Sequence, residues 1–139
     1  MQEAEPYTGV LDFIVRAKKN GHRLCIISHK TKFPFLGPKY DLHLSAIKWI
    51  ETHLLSGEGE PLFLKSDYFF EITKDEKVKQ IKDCGCDLYI DDLPEILMND
   101  SFPQNTVKYL FDPEKNYSSK EFPKLKLAFS WDQISNSLL

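Results

Sequence analysis

The stretch Thr73–Asp92, TKDEKVKQIKDCGCDLYIDD, decides how the chain folds. Thr73 and Glu76 have the spacing of a capping box, in which the threonine and glutamate side chains each satisfy a backbone amide left open at a helix start. That pattern predicts a helix over Lys74–Asp83. Cys84-Gly85-Cys86 then reads as a helix end followed by a strand start, and CDLYI, Cys86–Ile90, as a buried strand. The strand ends abruptly in two carboxylates, Asp91 and Asp92, and Leu93-Pro94-Glu95 opens a helical turn.

The same grammar extends in both directions. Val10–Asn20 places Val10, Leu11, Ile14, Val15 and Ala17 on one helical face, with Gly21 as the stop. RLCIIS, Arg23–Ser28, is an apolar run of strand length, and HKTKFPFLGPKY, His29–Tyr40, with two prolines and a glycine, is an irregular loop leaving its carboxyl end. Asp41 caps a helix carrying Leu42, Leu44, Ile47, Trp49, Ile50 and Leu54, which SGEGE at 56–60 terminates. Two short apolar clusters in Pro61–Phe70 are assigned to strands. VKYLF, Val107–Phe111, and LKLAF, Leu125–Phe129, are further strands, and Trp131–Leu139 is a closing helix. Helices alternating with buried strands imply an α/β fold with a parallel sheet and helices on both faces. In such sheets ligands bind at the carboxyl ends of the strands.

With 139 residues, 42% of them apolar, the chain is expected to form one domain with a single sizeable core. A net charge of −3 from interspersed residues offers no basic stripe for a phosphate backbone, so nucleic acid is not an expected partner. No apolar run reaches the ~20 residues of a membrane span, and the first residues lack a leader's basic and apolar regions. The expected location is cytoplasmic, away from membranes. Cys25, Cys84 and Cys86 are an odd set that indicates no disulfide framework, and no second pair completes a zinc site for the Cys-Gly-Cys triplet.

The strand ends present Ser28-His29-Lys30, Asp91-Asp92 and Asp112, while Lys74 and Lys77 lie in the first turn of the capped helix. Two adjacent carboxylates suit Mg2+, which keeps several waters and accepts one or two carboxylates. A hydroxyl and an ammonium nearby could hold phosphoryl oxygens. Each feature also has a plain structural reading: a serine paired with backbone, an aspartate capping the turn at Pro94, lysines on a solvated face. Their shared position at strand ends is what favours the functional reading, and it predicts one cleft holding Asp91, Asp92, Ser28 and Lys74 or Lys77.

IISHKTKFPFLGPKYDLH, FFEITKDEKVKQI and YIDDLPEIL resemble a bacterial subgroup of the haloacid dehalogenase (HAD)-like hydrolase superfamily, over about Pro6 to Trp131. The resemblance implies a Rossmann-like three-layer parallel sheet and a Mg2+-dependent phosphatase acting on a small phosphorylated substrate. It implies that Ser28 contacts the phosphoryl group with His29 and Lys30 beside it, that Lys77, or failing it Lys74, is the phosphate-binding lysine, that Asp91 binds Mg2+, and that Asp92 supports the site. The superfamily's nucleophile and acid/base are two aspartates one residue apart on a central strand, and no Asp-x-Asp occurs here. The expectation is therefore residues 1–139 as a core domain with motifs two to four, truncated at its N-terminus, missing its first strand and inactive alone.

The lost strand would lie between RLCIIS and CDLYI. Either those strands close up and pair, or another chain fills the slot, with self-association as the consequence. The main rival reading is a non-catalytic module that binds a phosphorylated ligand or a partner in the same pocket. A signalling receiver domain fits less well, because its acidic pair comes first along the chain.

Overall fold

Why each helix starts and stops is plain in the computed structural model, which describes residues 6–29 and 42–139. Helix α1 (Val10–Lys19) ends where Gly21, at φ 87°, lets the Gly21 and His22 amides turn back onto the Lys18 and Ala17 carbonyls. That left-handed closure is one a side chain would disfavour. Helix α2 covers Leu42–His53. Helix α3 (Lys74–Asp83) has the full capping box, with the Glu76 amide donating to Thr73 Oγ1 at 3.1 Å and the Thr73 amide donating to Glu76 at 3.2 Å. It closes as α1 does: the amides of Gly85, at φ 64°, and of Cys86 reach the Lys82 and Ile81 carbonyls. Short α4 (Pro94–Leu97) begins on its proline, and α5 (Trp131–Leu138) is capped by Ser130.

Five strands join these helices: β1 (Ile26–His29), β2 (Tyr68–Glu71), β3 (Leu88–Asp91), β4 (Val107–Phe111) and β5 (Lys126–Ala128). The result is a mixed α/β architecture with two small parallel sheets, β1-β2 and β3-β4-β5. Alternation along the strands sends side chains to two apolar clusters. Ile26, Tyr68, Phe70, Leu88, Ile90, Tyr109, Phe111 and Ala128 pack with residues of α1, α2 and α5. Ile27, Phe69, Tyr89, Leu110 and Leu127 pack with residues of α3 and α4. The strands of both sheets thus have one cluster on each side.

Several expectations need correction. The first strand runs from Ile26 to His29 rather than from Arg23 to Ser28, and the third from Leu88 to Asp91 rather than from Cys86 to Ile90, because ladder pairing begins at Ile26 opposite Tyr68 and at Leu88 opposite Val107. Of the two strands expected in Pro61–Phe70 only Tyr68–Glu71 forms. Leu62 and Phe63 are instead buried from irregular backbone, where the Leu62 amide bonds the Leu54 carbonyl. The loop over Lys30–Tyr40 and the Asp41 cap lie outside the described residues.

The strands form two ladders rather than one sheet closed up across the expected gap. Among the described residues no ladder joins β1 to β3. Across that seam the Tyr89 hydroxyl donates to the Ile27 carbonyl at 2.8 Å, a side chain standing in for the amide a neighbouring strand would supply.

Candidate functional site

The capping box fixes the register of α3, and that register puts Lys77 on the helix's inward stripe with Val78 and Ile81. Lys74, three residues earlier, faces out. Because β2 leads directly into α3, the first turn of the helix lies near the carboxyl ends of the parallel strands. There Lys77 Nζ meets Asp91 Oδ2 at 2.6 Å, with the two side chains only 6% and 5% exposed. The other Asp91 oxygen accepts the Leu93 amide at 3.0 Å, which ties the carboxylate to the turn opening α4.

Asp92 reaches solvent, yet its carboxyl is held above the ordinary carboxylate range, first by partial desolvation and then by hydrogen bonding and repulsion from Asp91. The two carboxyls are therefore neighbours, and one of them keeps its proton more readily than a free aspartate. Tyr89, whose hydroxyl spans the seam, has its ring centroid 5.8 Å from Lys77 Nζ. Burial and then the charge of Asp91 push its phenol well above its usual value, so it serves as a neutral donor. One cation and two carboxyls make a small cluster in which acidic groups outnumber basic ones.

Other expected members lie elsewhere. Lys74 pairs with Glu95 at 2.8 Å on the surface. Asp112 is buried, but its oxygens accept the Asn116 and Tyr117 amides at 2.9 Å each and shape the loop after β4. Ser28 is half-buried near the end of β1. Counting along β1 from Ile26 and Ile27, Ser28 belongs to the face of α1, α2 and α5, whereas Asp91, counted from Tyr89, belongs to the face of α3 and α4. Among the described residues Ser28 makes no hydrogen bond to Lys77, Asp91 or Asp92, so the expected single cleft reduces to Lys77, Asp91 and Asp92. Lys30 and the side chain of His29 lie outside the described residues.

No protein-family model, curated protein or solved structure matches the chain. The site is therefore read from its own chemistry. Asp91 and Asp92 are the adjacent carboxyls that could hold a cation such as Mg2+, which accepts one or two carboxylates and keeps several waters. Among the described residues no group of three or more His, Cys, Asp or Glu is placed to hold a metal ion, so the protein's share of such a shell would be these two. Among those residues, too, no helix is long and apolar enough to cross a membrane. Tyr89 is the member that sequence reasoning missed: inside CDLYI it looks like packing, and only the seam gives its hydroxyl a task.

Proposed function

We propose that Lys77, Asp91 and Asp92 form the metal- and phosphate-binding part of a Mg2+-dependent phosphate-monoester site of the HAD-like kind, on a Rossmann-like three-layer sheet that lacks a strand between β1 and β3. The observation that carries this reading is the buried Lys77–Asp91 pair beside Asp92 at the carboxyl end of a parallel strand. Purely parallel ladders, with helices packed against opposite faces of their strands, support the sheet.

Charge then dictates the order of binding. With no added cation, Lys77 is spent on Asp91 and the cluster repels a phosphate dianion. Asp91 and Asp92 would hold a divalent ion whose charge would offset theirs, and Lys77 would then face phosphoryl oxygens, where an ammonium neutralises the charge that builds up in transfer. Tyr89 and the Leu93 amide keep the carboxylate and its turn in place. The part of His29 and Lys30 in gripping phosphate rests on the resemblance alone, and Ser28, on the other face of its strand, is left out of the proposed grip.

The chain has no Asp-x-Asp, so by itself it binds rather than turns over. This also favours the second reading, a non-catalytic module using the same cluster for a phosphorylated ligand. Calorimetry with orthophosphate tests what both share: heat of binding is expected with Mg2+ present, and none without it or in Asp91→Asn. Phosphate binding that ignores Mg2+ would remove the proposal. An aryl phosphate assay with Mg2+ should run no faster than buffer, and chelator-sensitive turnover would place a nucleophile where none is proposed.

A further inference from the structure

Beyond β4 the chain makes a turn that is tied down at every side. Asp112 is buried, and its two oxygens accept the Asn116 and Tyr117 amides at 2.9 Å each. Its carbonyl accepts the Lys115 amide at 3.1 Å, and its own amide donates to the Ala128 carbonyl at 2.8 Å. Tyr117 then meets the edge of Phe122, and both rings join the apolar cluster beneath α3 and α4. Within this frame Lys115 has φ 58°, a left-handed backbone that among the described residues only glycines otherwise adopt. A side chain disfavours that conformation, which persists where the surroundings over-determine it. Glycine would sit there without strain, so the turn alone does not account for a lysine.

The side chain has a definite place. Lys115 Nζ stands 5.3 Å from the centre of the Phe129 ring. That ring is 37% exposed, and the Phe129 amide is pinned by the Gln133 side chain at 2.7 Å. Among the described residues Lys115 forms no ion pair, so its charge is free for another partner. Asp112 and Phe129 each stand one residue past β4 and β5, at the end of the ladder where Asp91 closes β3. Counted from Leu110 and Leu127, both positions belong to the face of α3 and α4, as Asp91 does. Neighbouring strands lie ~4.8 Å apart, which puts Phe129 roughly 10 Å from Asp91 across the ladder.

We propose that Lys115 and Phe129 form a subsite for the distal, anionic end of an elongated phosphate monoester whose phosphoryl group lies at Lys77, Asp91 and Asp92. This rests on the phosphate reading of that cluster and names the part of the ligand the cluster leaves open. The exposed ring offers an apolar wall to the middle of the ligand, and the ammonium beside it pairs with a carboxylate or second phosphate at the far end. A solvent-exposed pair of charges adds modestly to affinity, so the subsite selects among phosphate esters rather than holding them unaided.

The test uses two probes that cannot be hydrolysed, 6-phosphonohexanoate and hexylphosphonate, which differ only in a carboxylate or a methyl group at the far end. In calorimetry with Mg2+ the carboxylate probe should bind roughly two- to fivefold more tightly. Lys115→Gln should abolish that preference and Lys115→Arg should keep it, with hexylphosphonate bound equally by all three chains. Lys115→Gly should also lose the preference while melting higher than wild type, because the backbone strain is gone. A turn with a structural role only would show that rise in melting temperature with the preference intact. Equal binding of the two probes by the wild-type chain, or a preference that survives in Lys115→Gln or Lys115→Gly, would overturn the proposal. Failure of both probes to bind with Mg2+ would instead remove the phosphate site, and this subsite with it.

Discussion

Replacing Lys77 by methionine would leave the Asp91 carboxylate inside the protein without its cationic partner. Removing one member of a buried pair typically costs ~3–5 kcal/mol, whereas replacing both with apolar groups is often neutral or better. Lys77→Met should therefore destabilise the chain by about 3–5 kcal/mol in chemical denaturation, and Lys77→Met with Asp91→Leu should recover most of that loss. A single-variant cost under ~1 kcal/mol would mean that water screens the pair as it does at a surface. Recovery in the double variant would show that stability alone does not require these charges, as a binding role leads one to expect. Asp92 titrates in the opposite sense to a salt-bridged aspartate. Its folded-state pKa is raised, so the folded state holds the proton more tightly than the unfolded chain. Stability from this group falls as pH rises from the unfolded value toward the raised one, and the penalty is complete above it. Asp92→Asn should thus melt higher than wild type at pH 7, with the gap shrinking below the ordinary carboxylate pKa of about 4. Melting curves at pH 7 and in acid check this, and a gap that widens in acid would contradict it.

At the scale of elements, helix α3 was the most legible part of the chain. Thr73 and Glu76 announce its start, Gly85 its stop, and the period of 3.6 separates Lys77, on the stripe of Ile81, from Lys74, which faces solvent. Strand identities were legible from apolar runs, but their edges were not. Arg23–Cys25 and Cys86–Asp87 look continuous with the strand residues after them, and it is hydrogen-bond register, a non-local property, that excludes them. The face of Ser28 escaped for a related reason: parity along β1 is readable, yet its relation to Asp91 depends on how two separate ladders stand on common clusters. Tyr89 was illegible as a donor because nothing local distinguishes it from a packing tyrosine. Removing only its hydroxyl, in Tyr89→Phe, deprives the Ile27 carbonyl of a partner and should cost about 1 kcal/mol. Hydrogen exchange should quicken in β1 and β3 of that variant, and exchange unchanged in both strands would show that the bond does not couple them.

For the molecule as a whole, the seam organises the strands. On one side stands a two-stranded ladder, on the other a three-stranded one, with the same two apolar clusters above and below. The carboxylates and Lys77 occupy the carboxyl end of β3. An edge strand is a template for further pairing, so self-association through the seam is a reasonable consequence of the proposed missing strand. The central claim concerns the carboxyl end, and amide chemical-shift mapping addresses it directly. Titrating Mg2+ into the isotope-labelled chain should move the amides of Asp91–Leu93 and those around Lys77, and orthophosphate should move them again only when Mg2+ is already present. Asp91→Asn should abolish both responses. Shifts scattered over the surface, or a phosphate response that needs no metal, would contradict the account.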